Sequence, residues 1–280
     1  MVSKTVYLSV TSFASRINTT KQNKMNNVVL VTGSTSGIGL GIAREFARAG
    51  YAVGFHGLEK DGGETAAAIG KQFDIPVCFA DYDVTAERGV AELVNDTVQK
   101  LGAIDILVNN AGIQHVSSIS DFELDKWNRI FDVNLSAAFR ATKLVMPEMI
   151  KRNWGRIINI ASVHGLVASE FKSAYVAAKH GLLGLTKVTA LEGAPFGITA
   201  NAICPGYSDT PLVQKQIADQ AKVHNISEDE VIEKVMLIKQ PIKKFVKPES
   251  IGALCVFLAS EHGELITGAA IPIDGGWQSQ

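Results

Sequence analysis

The sequence predicts a single α/β domain built on a doubly wound parallel sheet with helices on both faces. From Val28 onward, short runs rich in β-branched residues alternate with longer amphipathic segments. The short runs are apolar throughout, which is typical of parallel strands that are buried on both faces. Right-handed crossovers then wind the sheet in two directions and place ligand sites at the carboxyl ends of its strands.

The predicted elements follow in order along residues 27–280, which we expect to form one domain. Strands are predicted at Val28–Val31, Ala52–Phe55, Pro76–Phe79, Ile104–Val108, Arg156–Ile160, Thr199–Ile203 and Ala270–Ile273. Helices are predicted at Gly37–Ala49, Glu64–Phe73, Glu87–Leu101, Leu124–Met149 and Ser173–Glu192. The end of the fourth helix is loosely defined because it contains Pro147, which lacks the N–H that a helix interior uses.

Two segments stand outside this alternation. Residues 1–26 carry Lys and Arg but no acidic residue, and their many Ser and Thr residues are weakly typical of a transit peptide. We expect a poorly structured tail there rather than a targeting signal, because Met25 lies just before the first strand and would serve as a start. The charged segment Thr210–Lys247 is predicted to be an inserted helical pair that acts as a lid over the ligand site.

Composition limits the function classes. The chain has 280 residues, of which 46% are hydrophobic and 20% charged, so it can bury a sizeable core. Its net charge of -1 argues against nucleic-acid partners. No apolar run approaches the roughly 20 residues that a membrane helix needs. Cys78, Cys204 and Cys255 fit neither a disulfide framework nor a zinc site, and we expect a cytoplasmic globular protein without a metal.

A glycine-rich turn, Thr32–Gly39, directly follows the first predicted strand and opens the first helix. Glycines at 33, 37 and 39 allow the backbone to turn sharply and to approach a pyrophosphate, whose negative charge a helix N-terminus favours. The spacing differs from the Gly-x-Gly-x-x-Gly fingerprint, so an ordinary tight turn is the competing interpretation. Its position after the first strand favours dinucleotide binding.

A second pattern indicates acid–base chemistry. Tyr175 and Lys179 are four residues apart and therefore share one helix face. A phenol titrates near pH ~10 and needs a nearby cation to act at neutral pH, which Lys179 can supply. Ser162 ends a predicted strand and can hydrogen-bond the oxygen of a substrate. An isolated Tyr-x-x-x-Lys would be a core-edge aromatic beside a solvated lysine, but the combination with Ser162 and the glycine turn favours catalysis.

Taken together, these motifs resemble the short-chain dehydrogenase/reductase family over about Val28 to Trp277, and Asn109–Gly112 and Pro205-Gly206 match two further motifs. The resemblance implies a Rossmann-like fold and a homotetramer. The implied catalytic residues are Asn134, Ser162, Tyr175 and Lys179. The implied cofactor-binding residues are Gly33, Thr35, Ser36, Gly37, Ile38, Gly39, Leu58, Asp83, Val84, Asn110, Tyr175, Lys179, Pro205, Gly206 and Thr210.

The residues around the second strand bear on the choice of cofactor. A 2′-phosphate needs a nearby Arg or Lys, whereas a free ribose prefers a carboxylate. The glycine turn contains no basic residue. Leu58 stands where NAD-using relatives often carry Asp, but Glu59 beside it can accept a hydrogen bond from the ribose. Lys60 is the opposing signal, since a basic residue favours NADP. We therefore expect NAD rather than NADP.

Within the family, the local sequences are most similar to those of bacterial D-3-hydroxybutyrate dehydrogenases. That similarity implies a substrate site made of Gln114, Ser162, His164, Lys172, Tyr175, Tyr207, Gln216 and Trp277. Its cation and hydrogen-bonding groups suit a small carboxylate. Tyr207 replaces a second Trp of these relatives, which leaves the preferred chain length open. Taken singly, each of these residues is as well explained by an ordinary loop or surface role.

The resulting prediction is an NAD-dependent dehydrogenase that interconverts (R)-3-hydroxybutyrate and acetoacetate, with Tyr175 as acid and base. An NADPH-dependent 3-oxoacyl thioester reductase on the same frame is the alternative enzyme. A regulator that binds NAD without turnover is the non-enzyme alternative, and the complete set of catalytic residues argues against it. His115 and His180 are assigned to structure because nothing pairs them with a ligand.

Overall fold

The computed structural model describes residues 27–279 except 212, 215, 216, 218–220 and 222–225. The predicted N-terminal tail, residues 1–26, lies outside the described residues. A seven-stranded sheet runs in the order β3-β2-β1-β4-β5-β6-β7. Its strands are β1 (Val28–Val31), β2 (Ala52–His56), β3 (Val77–Ala80), β4 (Ile106–Asn109), β5 (Gly155–Ile160), β6 (Ile198–Pro205) and β7 (Ala270–Ile273). Every strand pair is parallel, which confirms the predicted fold class.

Helices cover both faces of the sheet. They are α1 (Gly37–Arg48), α2 (Gly62–Phe73), α3 (Gly89–Leu101), α4 (Leu124–Phe131), α5 (Ala137–Arg152), α6 (Ser173–Gly193), α7 (Glu228–Val231) and α8 (Pro248–Ala259). The alternation of side chains along β1 divides the core: Val29 and Val31 pack in the cluster that includes α1 and α8 residues, and Leu30 packs in the cluster with α3 and α5 residues.

The prediction of one continuous helix over Leu124–Met149 is wrong. A π-helical turn, Asp132–Ser136, separates α4 from α5, and α5 continues past Pro147 to Arg152. Pro147 has no N–H, so the carbonyl of Lys143, four residues earlier, lacks its helical donor. This is tolerated because both residues lie on the solvent face of the helix. Water can supply that hydrogen bond at an exposed position.

Helix α8 was not predicted. It begins with Pro248 at its first turn, where a missing N–H has no cost, and it packs against α1. The two helices approach closely at their glycines, because a Cβ at Gly41 would lie 3.0 Å from the Cα of Pro248 and one at Gly252 would lie 2.9 Å from the carbonyl oxygen of Gly41. The apolar side chains of α8 do not fall on one face of the helix, so the sequence of this segment shows little of the periodicity that predicts a helix.

The segment after β6 returns to the sheet through a short bridge. The Val246 N–H donates to the Tyr207 carbonyl at 2.8 Å, and the Asp209 N–H donates to the Val246 carbonyl at 3.2 Å. Between them, α7 begins with a capping box formed by Ser227 and Glu230 and continues into a π-helical turn, Ile232–Met236. The role of this segment as a lid stays a prediction.

Other sequence-based expectations concern membranes and thiols. Among the described residues, no helix combines the length and apolar character that crossing a bilayer requires. Cys78, Cys204 and Cys255 are buried, and none is in a disulfide. Burial raises the pKa of each of these thiols, so all are protonated at neutral pH.

Candidate active site

The glycine turn is locked against the end of β4. Gly33 and Gly37 have φ angles of +63° and +53°, which favour glycine, and a Cβ at Gly39 would collide with the Gly33 carbonyl oxygen. The Asn110 side-chain amide donates to the carbonyls of Thr32 and Gly33, each at 2.9 Å. The turn is therefore a rigid backbone cradle at the N-terminus of α1.

This cradle forms one end of a cleft of about 600 Å³ along the carboxyl ends of the strands. Of the predicted cofactor-binding residues, those that line the cleft are Gly33, Ser36, Gly37, Ile38, Gly39, Leu58, Asp83, Val84, Asn110, Tyr175, Lys179 and Thr210. Thr35 lies behind the cleft wall and bonds Glu59. Gly206 lines the adjoining smaller cavity instead, and Pro205 lines neither.

His56, which the sequence analysis did not single out, supports the cradle from β2. Its Nδ1 accepts from the Gly33 N–H at 3.0 Å, which fixes the ring proton on Nε2, and Nε2 donates to the Tyr82 carbonyl at 2.8 Å. Burial lowers the pKa of His56 and keeps it neutral, as this pattern requires. The histidine is visible at the end of β2, but its partner is 23 residues away in the chain.

The cleft is acidic where β2 ends. The Glu59 carboxylate accepts from the Thr35 hydroxyl and from the Ser36 hydroxyl, the latter at 3.0 Å. Burial acts to raise the pKa of Glu59, but these hydrogen bonds outweigh it and lower the pKa below its usual value. Among the described residues that line the cleft, the lysine and arginine side chains are those of Lys179 and Arg129. A guanidinium nitrogen of Arg129 lies 3.9 Å from a carboxylate oxygen of Asp83. Lys60 does not line the cleft.

Tyr175 and Lys179 lie on the face of α6 that closes the cleft. The Lys179 side chain is buried, with 4% of the residue exposed, and its Nζ donates to the Ile160 carbonyl at 2.8 Å. That nitrogen lies 5.6 Å from the centre of the Tyr175 ring. Burial lowers the pKa of Lys179 to about 8. Burial raises the pKa of Tyr175, and a hydrogen bond with Ser162 opposes that rise.

Asn134 lies in the π-helical turn between α4 and α5. Its Oδ1 accepts from the Ile113 N–H at 2.8 Å, and its Nδ2 donates to the Ile113 carbonyl at 2.9 Å. π-helical turns widen a helix locally and often occur at functional sites. A cavity of about 10 Å³, the volume that one water needs, is lined by Asn134, Lys179, Thr32 and other residues.

Ser162 opens the neighbouring cavity, which has a volume of about 140 Å³. Its Oγ accepts from the His164 N–H at 3.1 Å, so its own proton remains available to a ligand or to Tyr175. The predicted substrate residues that line this cavity are Gln114, Ser162, His164, Lys172, Tyr175, Tyr207 and Trp277. Gln216, the remaining member, lies outside the described residues.

Aromatic rings and one lysine form the walls of this cavity. The Trp277 ring centre lies 5.4 Å from that of His164 and 5.6 Å from that of Tyr207. Lys172 Nζ donates to the Tyr207 hydroxyl at 3.4 Å. Burial, together with the charge of Lys239, lowers the pKa of Lys172. Burial and nearby positive charges lower the pKa of His164 to about 4, so its ring is neutral at physiological pH.

Asp274, a second residue that the sequence analysis missed, fixes Trp277. Its two carboxylate oxygens accept from the N–H groups of Gly276 and Gln278, each at 3.0 Å. The two residues predicted to be structural have structural contacts. His115 packs edge-on against Phe122 at 5.5 Å, and His180 Nδ1 lies 2.9 Å from the carbonyl oxygen of Val176.

Comparison with known proteins agrees with this architecture. The family model described as short chain dehydrogenase matches residues 27–221. The D-beta-hydroxybutyrate dehydrogenase of Rhizobium meliloti is 48% identical over 91% of this chain and 100% of its own length. The enzyme of the same name from Cupriavidus necator is 48% identical over 90% of this chain and 97% of its own.

Among solved structures, L-sorbose reductase of Gluconobacter frateurii, complexed with NADPH and L-sorbose, superposes with a TM-score of 0.87. It is 31% identical and covers 91% of this chain and 97% of its own. The glycine cradle, the Tyr175–Lys179 pair and these likenesses lead to one conclusion. The chain belongs to the short-chain dehydrogenase family of oxidoreductases.

Proposed function

We propose that this protein is an NAD-dependent dehydrogenase that interconverts (R)-3-hydroxybutyrate and acetoacetate. The observation that carries the proposal is the composition of the 140 Å³ cavity. It places Ser162 and Tyr175 in one small space with Lys172 and His164. A secondary hydroxyl and a carboxylate two carbons apart would each find suitable partners there.

The larger cleft suits a dinucleotide. A Cβ at Gly33 would lie 3.1 Å from the Cα of Ala111, so the turn leaves room only for a bare backbone beside a pyrophosphate. Glu59, held by Thr35 and Ser36, offers a carboxylate where a ribose hydroxyl would donate and where a 2′-phosphate would be repelled. This acidic position supports NAD over NADP.

The chemistry follows from the protonation of the side chains. Bound NAD would supply the hydride acceptor. Tyr175, as phenolate, removes the proton of the substrate hydroxyl, and the positive charge of buried Lys179 stabilises that phenolate. Ser162 donates to the substrate oxygen as it becomes a carbonyl. Asn134 borders the small cavity beside Lys179, where one water would connect the lysine with solvent.

The remaining cavity residues orient the substrate. Lys172 supplies the cation for its carboxylate, and neutral His164 and Gln114 supply hydrogen bonds. Trp277 forms a wall for the methyl end. The aromatic wall and the small volume disfavour the bulkier substrate of a 3-oxoacyl thioester reductase, the alternative on the same frame.

The proposal is tested by removing the carboxylate partner. We expect Lys172→Met to raise KM for (R)-3-hydroxybutyrate about 10- to 100-fold, because the variant loses one charged hydrogen bond to the carboxylate. We expect kcat to change little. Lys71→Met on α2 is the matched control and should leave KM unchanged. Thermal unfolding of both variants checks that the fold persists. An unaltered KM in a folded Lys172→Met variant would refute the carboxylate assignment.

We also propose that the chain assembles as a homotetramer in the cytoplasm. Apolar side chains are exposed along α5 and α6, with Phe139 at 51%, Val188 at 53% and Leu191 at 77%. Exposed apolar side chains on two neighbouring helices are typical of a subunit interface. Light scattering of the full chain should give four times the chain mass, and a monomer would contradict this assembly.

A further inference from the structure

Tyr207 and Lys172 meet on the wall of the substrate cavity, which both residues line. The Lys172 Nζ lies 3.4 Å from the Tyr207 hydroxyl oxygen and 5.5 Å from the centre of the Tyr207 ring. The ammonium therefore approaches the hydroxyl end of the tyrosine rather than the middle of its ring face. This hydroxyl is the hydrogen-bond partner of the charged end of the lysine.

The backbone from which the lysine side chain extends is fixed as well. Phe171, the preceding residue, has a φ angle of +63°, in the left-handed region that residues other than glycine seldom adopt. Its carbonyl accepts from the Ser117 N–H at 2.9 Å, which ties this turn to the loop after β4. Such a conformation persists only where surrounding contacts hold it. Lys172 thus extends from a rigid turn, and its remaining freedom lies in its flexible four-carbon stem.

Tyr207 is held in place on several sides. Its carbonyl accepts from the Val246 N–H at 2.8 Å. Its ring centre lies 5.6 Å from that of Trp277, and its side chain packs against a cluster of buried apolar residues in the segment between β6 and α8. Asp274 in turn fixes the backbone turn that carries Trp277. The Tyr207 hydroxyl therefore occupies a defined point on the cavity wall.

The protonation of the pair gives this hydrogen bond its direction. An ammonium can only donate, so the Tyr207 oxygen accepts. Burial raises the pKa of Tyr207, which keeps its hydroxyl protonated at neutral pH. Burial lowers the pKa of Lys172, and an oxygen acceptor favours its charged form. The hydroxyl thus supports a positive charge in a cavity whose described lining contains no aspartate or glutamate.

We propose that Tyr207 is a positioning residue for substrate selection, whose hydroxyl holds the Lys172 ammonium at the place where the substrate carboxylate binds. A lysine that is already oriented loses less side-chain freedom when the anion arrives, so the anion binds more tightly. Tyr207 therefore favours acids over uncharged analogues of similar size. This inference rests on the proposed function, because it takes the substrate to be a small carboxylate.

Tyr207→Phe removes the hydroxyl and keeps the ring. We expect KM for (R)-3-hydroxybutyrate to rise about three- to tenfold, the usual contribution of one hydrogen bond, with kcat within about twofold. The kcat/KM for the uncharged methyl ester of the same acid should not change, so the preference for the acid falls by the same factor. Tyr51→Phe removes a hydroxyl outside both cavities and is the matched control. Thermal unfolding of both variants checks that the fold persists.

A double-mutant cycle separates positioning from ordinary packing. If the hydroxyl acts through Lys172, adding Tyr207→Phe to Lys172→Met should change KM by less than about twofold. An effect of Tyr207→Phe as large in this background as in the unmodified chain would overturn the inference, because the hydroxyl would then act without the lysine. An unchanged KM in Tyr207→Phe alone would overturn it too.

Acetate binding provides a readout that needs no turnover. Acetate is titrated into the NAD-loaded protein by calorimetry, and its dissociation constant should rise about three- to tenfold in Tyr207→Phe but not in Tyr51→Phe. If the unmodified chain does not oxidise hydroxybutyrate but this acetate difference is present, the proposed function fails and the role of Tyr207 stands. If the unmodified chain oxidises hydroxybutyrate and Tyr207→Phe binds acetate equally well, the inference fails and the proposed function stands.

Discussion

Burial determines the protonation of the side chains around Tyr175. It raises the pKa of the Tyr175 phenol and lowers that of the Lys179 ammonium, so desolvation alone disfavours both charges. Placed together, a phenolate and an ammonium compensate each other's desolvation. The hydrogen bond with Ser162 also lowers the pKa of Tyr175. The spacing of Tyr175 and Lys179 thus matters because it places a partly buried phenol and a buried ammonium on one helix face.

Tyr175→Phe tests the role of the hydroxyl. We expect kcat to fall about 10²- to 10⁴-fold, the usual contribution of a general acid–base group. The retained ring and the intact glycine cradle should keep the NAD dissociation constant within about threefold, as measured by fluorescence titration. Tyr51→Phe removes a hydroxyl outside the cleft and serves as the control. Undiminished turnover by Tyr175→Phe would disprove the mechanism.

His164 provides a prediction about pH. With a pKa of about 4, its ring stays neutral from pH 7.5 down to pH 5.5, so the dissociation constant of acetate for the NAD-loaded protein should be constant over this range. A histidine with the ordinary pKa of about 6.5 would gain a proton as the pH falls and would bind the anion more tightly. A several-fold gain in affinity below pH 6.5, absent in His164→Asn, would contradict this assignment.

Single residues also mark where sequence reasoning stops. Tyr175, Lys179 and Ser162 could be selected because their spacing and residue types imply chemistry. His56 could not, because its role depends on Gly33 and Tyr82, which lie 23 and 26 residues away along the chain. Asp274 was missed although the partners of its carboxylate, Gly276 and Gln278, are its close neighbours in the chain.

At the level of elements, the junction of β1 and α1 depends on a close approach that only glycine permits. The Gly33 carbonyl and the Asn110 amide occupy the space where a side chain at Gly39 would begin. This packing is what turns a strand end and a helix start into a cradle. The predicted boundaries of both elements agree with the structure to within one residue, since a buried strand and a glycine turn are strong local signals.

Gly39→Ala should therefore damage both the fold and cofactor binding. We expect the free energy of unfolding to fall by about 1–3 kcal/mol, the usual cost of overpacking, and NAD affinity to fall about tenfold or more. Gly63→Ala in α2 is the matched control, because a Cβ there would make ordinary contact with Phe79 at 3.4 Å. Chemical denaturation and NAD titration of both variants measure the difference, and equal stability would show that the cradle tolerates a side chain.

Elements without strong periodicity were harder to predict. The π-helical turn at Asn134 interrupts an apolar pattern that reads as one long helix, because a single wide turn leaves no separate signal in residue types. Helix α8 packs beside α1 and against β5 and β6, and it also exposes the apolar side chain of Phe257, so its apolar residues do not form the one-sided stripe of a surface helix.

Across the whole molecule, the fold joins two cavities at one edge of the sheet. Tyr175 lines both the dinucleotide cleft and the substrate cavity, as do Ile38, Gln114 and Thr210. The meeting point lies at the carboxyl ends of the strands, where a doubly wound sheet is expected to bind ligands. The sequence pattern was sufficient to predict this arrangement, whereas the residues proposed to hold the substrate depended on family resemblance.

The most direct test of the central claim is the initial rate of NADH formation from (R)-3-hydroxybutyrate and NAD. The (S)-enantiomer, a longer 3-hydroxy acid and NADP serve as parallel controls. We expect a fast rate with the (R)-acid and NAD and little with the (S)-acid or NADP. No turnover of this pair, together with activity on a 3-oxoacyl thioester with NADPH, would contradict the carboxylate cavity and the choice of cofactor.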